Sequence, residues 1–65
     1  MFHVKPDPRI AAEHYGAGRA SDWRVEHRPD ATFWWVVTDW TGTTVSHGIR
    51  ATLGESVAEC VKWAG

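Results

Sequence analysis

The sequence predicts an α+β domain: a three-stranded antiparallel sheet, in the order 1-2-3, with a C-terminal helix packed on one face and a short N-terminal helix. Along the chain this reads α-β-β-β-α. Three observations carry it. Trp23-Arg24-Val25-Glu26-His27-Arg28 alternates apolar and charged side chains, the period of a half-buried strand. Phe33-Trp34-Trp35-Val36-Val37 is a run of aromatic and β-branched residues, which favour a pleated surface. Behind Thr52-Leu53-Gly54-Glu55, apolar residues recur at helical spacing to Ala64, the stripe of an amphipathic helix.

Each element has its own signals. Residues 1–6 read as a tail. Asp7-Pro8 resembles a helix start, with Asp7 as N-cap and Pro8 at the first helical position. The predicted helix covers residues 8–15 and stops at Gly16; Gly16 to Ala20 is a loop. The first strand covers 22–28 and turns at Arg28-Pro29-Asp30-Ala31, with proline at the second turn position. The second strand covers 32–39, is apolar on both faces and reads as central. Trp40-Thr41-Gly42 closes a hairpin, and the third strand returns over 43–50. Thr52 and Glu55 have capping-box spacing, which starts the last helix at 53 and carries it to 64. Leu53, Val57, Cys60, Val61 and Ala64 share its apolar stripe, with Trp63 at the margin.

A two-residue turn at Thr41-Gly42 would pair Thr38 with Val45 and Val37 with Ser46; the three-residue loop Trp40-Thr41-Gly42 is preferred because it gathers apolar residues on one face, pairing Val37 with Val45, Trp35 with His47 and Phe33 with Ile49. It puts Gly42 at the left-handed position and Trp34 opposite Gly48. Neighbouring strand residues point to opposite faces, so the core face is expected to hold Trp23, Val25, Phe33, Trp35, Val37, Val45 and Ile49 under the last helix. The outer face is expected to show Arg24, Glu26, Arg28, Trp34, Val36, Thr38, Thr44, Ser46 and Arg50.

Composition narrows the class. A chain of 65 residues with one cysteine and five tryptophans makes one small domain, 1–65, with no internal disulfide. Chains this short lack core, and tryptophans supply it at roughly 150–250 Å² each. The formal net charge is −1, which weighs against a phosphate-binding surface. No apolar run has the length of a membrane span, and the start lacks the apolar segment of a signal peptide. With a lone cysteine, these readings place the chain in a cytoplasm, away from membranes.

The chemistry-bearing residues do not assemble into a reaction centre. Cys60 lies on the apolar helix stripe, where thiols are inert. Ser46 and His47 are strand neighbours and point to opposite faces. His27 and His47 are expected to share the core face on the two outer strands, with Trp35 between them, and lack a third metal ligand. Asp7, Asp39 and Glu55 are accounted for by caps and the hairpin. Gly16-Ala17-Gly18 has neither the strand nor the lysine of a phosphate loop. The expectation is a protein that is not an enzyme and needs no cofactor and no metal.

The outer sheet face is the remaining candidate. Tryptophan and arginine dominate interface energetics, so Trp34, Trp40, Arg24, Arg28, Arg50 and Val36 are the expected partner contacts. Asp30, Asp39, Glu55 and Glu59 are the acids that would oppose a basic partner surface. Trp23 and Trp35 are assigned to folding.

Three resemblances bear on function. The α-β-β-β-α order resembles the double-stranded-RNA-binding domain, although Ala51-Thr52-Leu53-Gly54-Glu55-Ser56 has an acid and no lysine where that family grips phosphates. The β-β-β-α portion, 23–64, resembles the AP2-type and integrase arm-binding domains, which lay a sheet in the DNA major groove; Arg24, Arg28, Trp34 and Arg50 would take that role, with Glu26 as a departure. As a type, a short single domain near neutrality resembles phage-encoded inhibitors of host defence, the anti-CRISPR kind. That resemblance implies stoichiometric binding to a host protein or complex at a nucleic-acid-handling surface, in the cytoplasm of a prokaryotic host; the chain itself is expected to be a monomer or homodimer. The leading expectation is therefore a non-catalytic, stoichiometric inhibitor, and the alternative a DNA- or RNA-binding sheet.

Overall fold

The structure is a computed structural model that describes residues 9–64. It is an antiparallel sheet of four strands in sequence order, followed by one helix. The strands are β1 (Ile10–His14), β2 (Asp22–His27), β3 (Phe33–Thr38) and β4 (Thr44–Arg50), and the helix is α1 (Leu53–Ala64). The Cα extents of 35 × 34 × 17 Å are those of two layers, sheet and helix. The α+β class, the antiparallel sheet and the C-terminal helix stand as expected.

The first correction is β1. Within the stretch expected to form a short helix over 8–15, Ile10–His14 form a fourth strand, paired with β2 through Ala12–Val25, Glu13–Arg24 and His14–Trp23. Two helical turns are too few to hold without packing, whereas the exposed edge of β2 offers main-chain partners. The Asp7 cap and the tail over 1–6 lie outside the described residues. Gly16 closes no helix; its N–H donates to Asp22 Oδ1 at 2.7 Å and fastens the β1–β2 loop.

Both remaining hairpins turn in three residues. Arg28 and Thr32 bracket Pro29-Asp30-Ala31, and Asp39 and Thr43 bracket Trp40-Thr41-Gly42. Each loop ends on a left-handed residue, Ala31 at φ 67° and Gly42 at φ 88°. The expected loop at Gly42 is therefore present. Asp39 fastens it: Oδ1 accepts from the Thr41 N–H at 2.9 Å and the Thr43 N–H at 3.0 Å.

The second correction follows at once. Thr38 faces Thr44, but Val37 faces Ser46, so Val45 is a bulge. Beyond it every β4 side chain is one position away from the expected pairing. Trp35 faces Gly48, Trp34 faces Ile49, Val36 faces His47 and Phe33 faces Arg50. Val45 and Ile49, expected in the core, are 44% and 50% exposed. The reason is the helix side of β4. Trp35 lies on the bare backbone of Gly48, where an added Cβ would stand 2.9 Å from Cζ2. The unbulged register would instead put His47 beneath this indole.

The core is Val25, Trp35, Val37 and Cys60, with Trp23, Phe33, Leu53 and Val57 packed round it. Trp23, Val25, Phe33, Trp35 and Val37 thus lie where the alternation put them. His27 stacks on Phe33 at 4.8 Å and His14 on Trp23 at 5.8 Å, both on the helix side. The capping box is present, with the Glu55 N–H donating to Thr52 Oγ1 at 3.2 Å and Thr52 Oγ1 donating to Glu55 at 3.0 Å.

Candidate interaction face

α1 covers one side of the sheet, and among the described residues nothing covers the other. The bare face is built from cross-strand rows. Glu13, Arg24, Val36 and His47 form one; Ile10, Glu26, Trp34 and Ile49 form the next; Thr38 and Thr44 close it towards the loops. A groove of about 450 Å³ opens here, lined by Tyr15, Arg24, Trp34, Val36, Thr38 and His47 among others. Val36 is only 8% exposed although the helix is on the far side. Its shelter comes from this face, where Arg24 and His47 flank it.

Arg24 organises the middle of the face. Its guanidinium stands 5.8 Å from the Trp34 ring, a cation–π distance, and its Nε lies 3.2 Å from Glu26 Oε2. Both charged groups reach solvent, so this ion pair is worth little by itself. Its effect is positional: it holds a planar cation beside a half-buried indole and leaves the arginine charge balanced.

Trp40 sits at the hairpin tip, 58% exposed, with Arg19 of the β1–β2 loop over its ring at 5.4 Å. Those two loops share one end of the sheet, so Trp40 flanks the groove.

The structure does not bring the other expected residues to this face. Arg50 lies on the helix side, because the Val45 bulge turns it, and its Nη2 pairs with Glu59 Oε1 at 3.2 Å. Ser46 is turned the same way opposite Val37, and His47 takes the outer position instead of a core place beside His27. Arg28 lies beyond β2 in the turn, with Nε 3.8 Å from Asp30 Oδ1. The Trp34 indole therefore has one arginine beside it, not three.

The four expected acidic contacts all have intramolecular work. Asp30 accepts from the Thr32 hydroxyl and N–H, and Asp39 from the Thr41 hydroxyl and the loop N–H groups. These hydrogen bonds hold both carboxyls below their ordinary pKa. Glu55 Oε1 accepts from the Thr52 hydroxyl at 3.0 Å at the start of α1, and Glu59 holds Arg50. Missing from the sequence reading were Glu13, Ile10 and Tyr15, hidden by the helical assignment of 8–15, and His47 and Ile49, hidden by the bulge.

Cys60 is fully buried, and burial, with Glu59 next to it, pushes its thiol pKa up to about 11. It is protonated at neutral pH and is a packing residue. Among the described residues no three His, Cys, Asp or Glu side chains are grouped to hold a metal ion, and no helix is long and apolar enough to cross a membrane.

No family model matches the chain, and neither a curated protein nor a solved structure matches it. The reading of this face rests on its own geometry.

Proposed function

We propose that this chain is a non-catalytic protein-binding module that engages its partner with the bare face of the sheet. One observation carries the proposal. A half-buried tryptophan, a stacked arginine and a sheltered valine meet in an open groove, on a sheet face that none of the described residues covers. A flat sheet with a concave aromatic centre offers the anchor-and-rim arrangement of binding hot spots. Trp34 is the anchor, Val36 the groove floor, Arg24 the orienting donor and Trp40 the flank. The action that suits such a module is occlusion, with one copy blocking one site. Inhibition of a host complex of the anti-CRISPR kind is the form proposed for it, supported by the size and near-neutral charge of the chain.

The charge pattern supports a protein partner over a nucleic acid. With Arg28 and Arg50 elsewhere, Arg24 shares the face with Glu13 and Glu26. Phosphate recognition needs an excess of cations, and this face has none.

The test is capture from a host lysate with the tagged chain and its Trp34→Ala variant, circular dichroism being recorded for both. A captured protein that is lost with Trp34→Ala, in a variant that stays folded, supports the reading. A variant that stays folded and still captures the same protein sinks it. So does salt-dependent retention of nucleic acid in place of protein.

A further inference from the structure

The two edges of the sheet are unequal. β1 is a five-residue strand interrupted by a bulge at Ala11, and it carries Glu13. Bulges and charges blunt an edge against pairing with another strand. β4 is the longest strand, with seven residues. Past its bulge at Val45 it runs without interruption through Ser46-His47-Gly48-Ile49-Arg50, without proline or lysine. Its one full charge, Arg50, is tied back to Glu59 of α1 at 3.2 Å. Among the described residues the strand itself therefore carries no unbalanced charge, and the nearest other cation is Lys62, whose Nζ lies 6.0 Å from the Trp63 ring on the helix.

The direction of its main-chain groups follows from the ladder. The Asp39 N–H reaches Thr43 across the β3–β4 hairpin, and the Arg28 N–H reaches Thr32 across the β2–β3 hairpin. Main-chain groups alternate in direction along a strand. Residues 33, 35 and 37 of β3 thus turn towards β4, and their partners Arg50, Gly48 and Ser46 turn back towards them. His47 and Ile49 point their N–H and C=O groups out of the sheet.

Unmatched apolar surface gathers on the same side. Ile49 is 50% exposed, Val45 44% and Trp63 47%. Trp63 is one helical turn beyond Glu59, on one face of α1, and Glu59 reaches Arg50 of β4. Trp63 therefore belongs to the flank of the helix that overhangs the β4 edge. The sheet and the helix each present an unburied apolar group beside an open strand.

From these observations we infer that the β4 edge is a self-association site, and that its occupant is β4 of a second copy, antiparallel, with Gly48 facing Gly48 across a two-fold axis. An antiparallel strand edge is complementary to itself, so a symmetric pair satisfies both copies at once. In this register His47 of each copy exchanges main-chain bonds with Ile49 of the other. Gly48 falls at the non-hydrogen-bonded pair, where strands approach to about 4.5 Å between Cα atoms and side chains crowd most. Self-complementarity decides between occupants: a second β4 brings its own outward His47 and Ile49 groups in matching register, and Arg50 of each copy is already paired with Glu59 of its own chain. The edge site borders the groove, since Ile49 stands opposite Trp34 on the bare face; what distinguishes it is the main-chain pairing of His47 and Ile49.

Two measurements on the full chain test the pairing. The first is amide hydrogen exchange by NMR at low and high protein concentration. His47 and Ile49 amides are expected to exchange fast in dilute solution and to slow at least tenfold as concentration rises, while the Gly48 amide, bonded within the sheet, is protected throughout. The second is sedimentation equilibrium. The wild type is expected to approach twice the 7.3 kDa chain mass, Ile49→Lys to remain a monomer, and Trp63→Ser to weaken association at least tenfold. Val61→Ser is expected to dimerise as the wild type does. A wild-type chain that stays monomeric at the highest concentration overturns the inference. So does a dimer that leaves the His47 and Ile49 amides unprotected, or one lost with Val61→Ser. Should Ile49→Lys fail to fold, the exchange experiment on the wild type decides.

Discussion

Replacing Gly48 with alanine tests the register on which both surfaces depend. A Cβ at this position would stand 2.9 Å from Trp35 Cζ2 and 3.0 Å from Cε2 and Nε1. Carbon atoms in good contact sit at about 3.5–4.0 Å, so the overlap is more than half an ångström and falls on a rigid ring. The ring cannot swing away, because Trp35 is 4% exposed and packs among Val25, Val37 and Cys60. Its Nε1 already lacks a hydrogen-bond partner, a cost of about 1–3 kcal/mol, so there is no polar contact to reposition it. Overpacking of this kind costs about 1–3 kcal/mol. Against this stands the usual gain when alanine replaces glycine in a strand, about 0.5–1 kcal/mol. Gly48→Ala is therefore expected to destabilise, by up to about 2.5 kcal/mol. For a domain of this length each kcal/mol lowers Tm by roughly 4–8 °C. Urea and thermal unfolding followed by circular dichroism measure it. In a Trp35→Phe background the overlapping atoms are gone, so the same change is expected to be neutral or mildly stabilising, and the double-mutant cycle returns the clash as a coupling energy. If Gly48→Ala stabilises the otherwise unaltered protein, Gly48 does not lie under Trp35. The bulge at Val45 is then wrong, and with it the placement of Ile49, His47 and Arg50.

Other expectations follow from the turns and the buried thiol. Ala31→Gly is expected to stabilise by roughly 0.5–1 kcal/mol, because a left-handed L-residue costs about 1–2 kcal/mol and the entropy of glycine offsets part of the relief; the residue sits at φ 67°, and a fall in Tm would deny that conformation. The Asp39 carboxyl is held below its ordinary pKa by the Thr41 hydroxyl and the loop N–H groups, so its contribution is present above about pH 4 and lost as pH falls; Asp39→Asn is expected to flatten the acid limb of a Tm-against-pH profile. Cys60 has the opposite sign. Its thiol is raised to about 11 against about 8.5 unfolded, so its contribution is complete below about pH 8.5 and declines as pH rises towards 11. Cys60→Ala is expected to remove that alkaline decline, and the native thiol to react with a thiol reagent far more slowly than the urea-unfolded one.

Several elements were legible without coordinates because their causes are local. The capping box starts α1, the three-residue loop at Gly42 follows from the residues it contains, and the alternation 23–28 puts Val25 inward and Arg24 outward. The misreadings share a different origin. β1 was written as a helix because Asp7-Pro8 and Gly16 are helix punctuation, and nothing local announces that the edge of β2 is vacant. Arg50 was placed beside Trp34 because a single extra residue, Val45, reverses the facing of all that follows in β4.

What the sequence by itself determined is the class of the domain, the facing of β2 and β3, and the separation of a core tryptophan from an outer one. Strand alternation is a property of the chain alone, so Trp35 inward and Trp34 outward followed as soon as the strand was recognised. Only the tertiary structure decided what stands next to each indole. Trp35 rests on Gly48 and Trp34 lies beside Ile49 and one arginine, because the bulge is set by how α1 packs the indole of Trp35 against the sheet. That is a contact between residues far apart in the chain, and no local pattern encodes it.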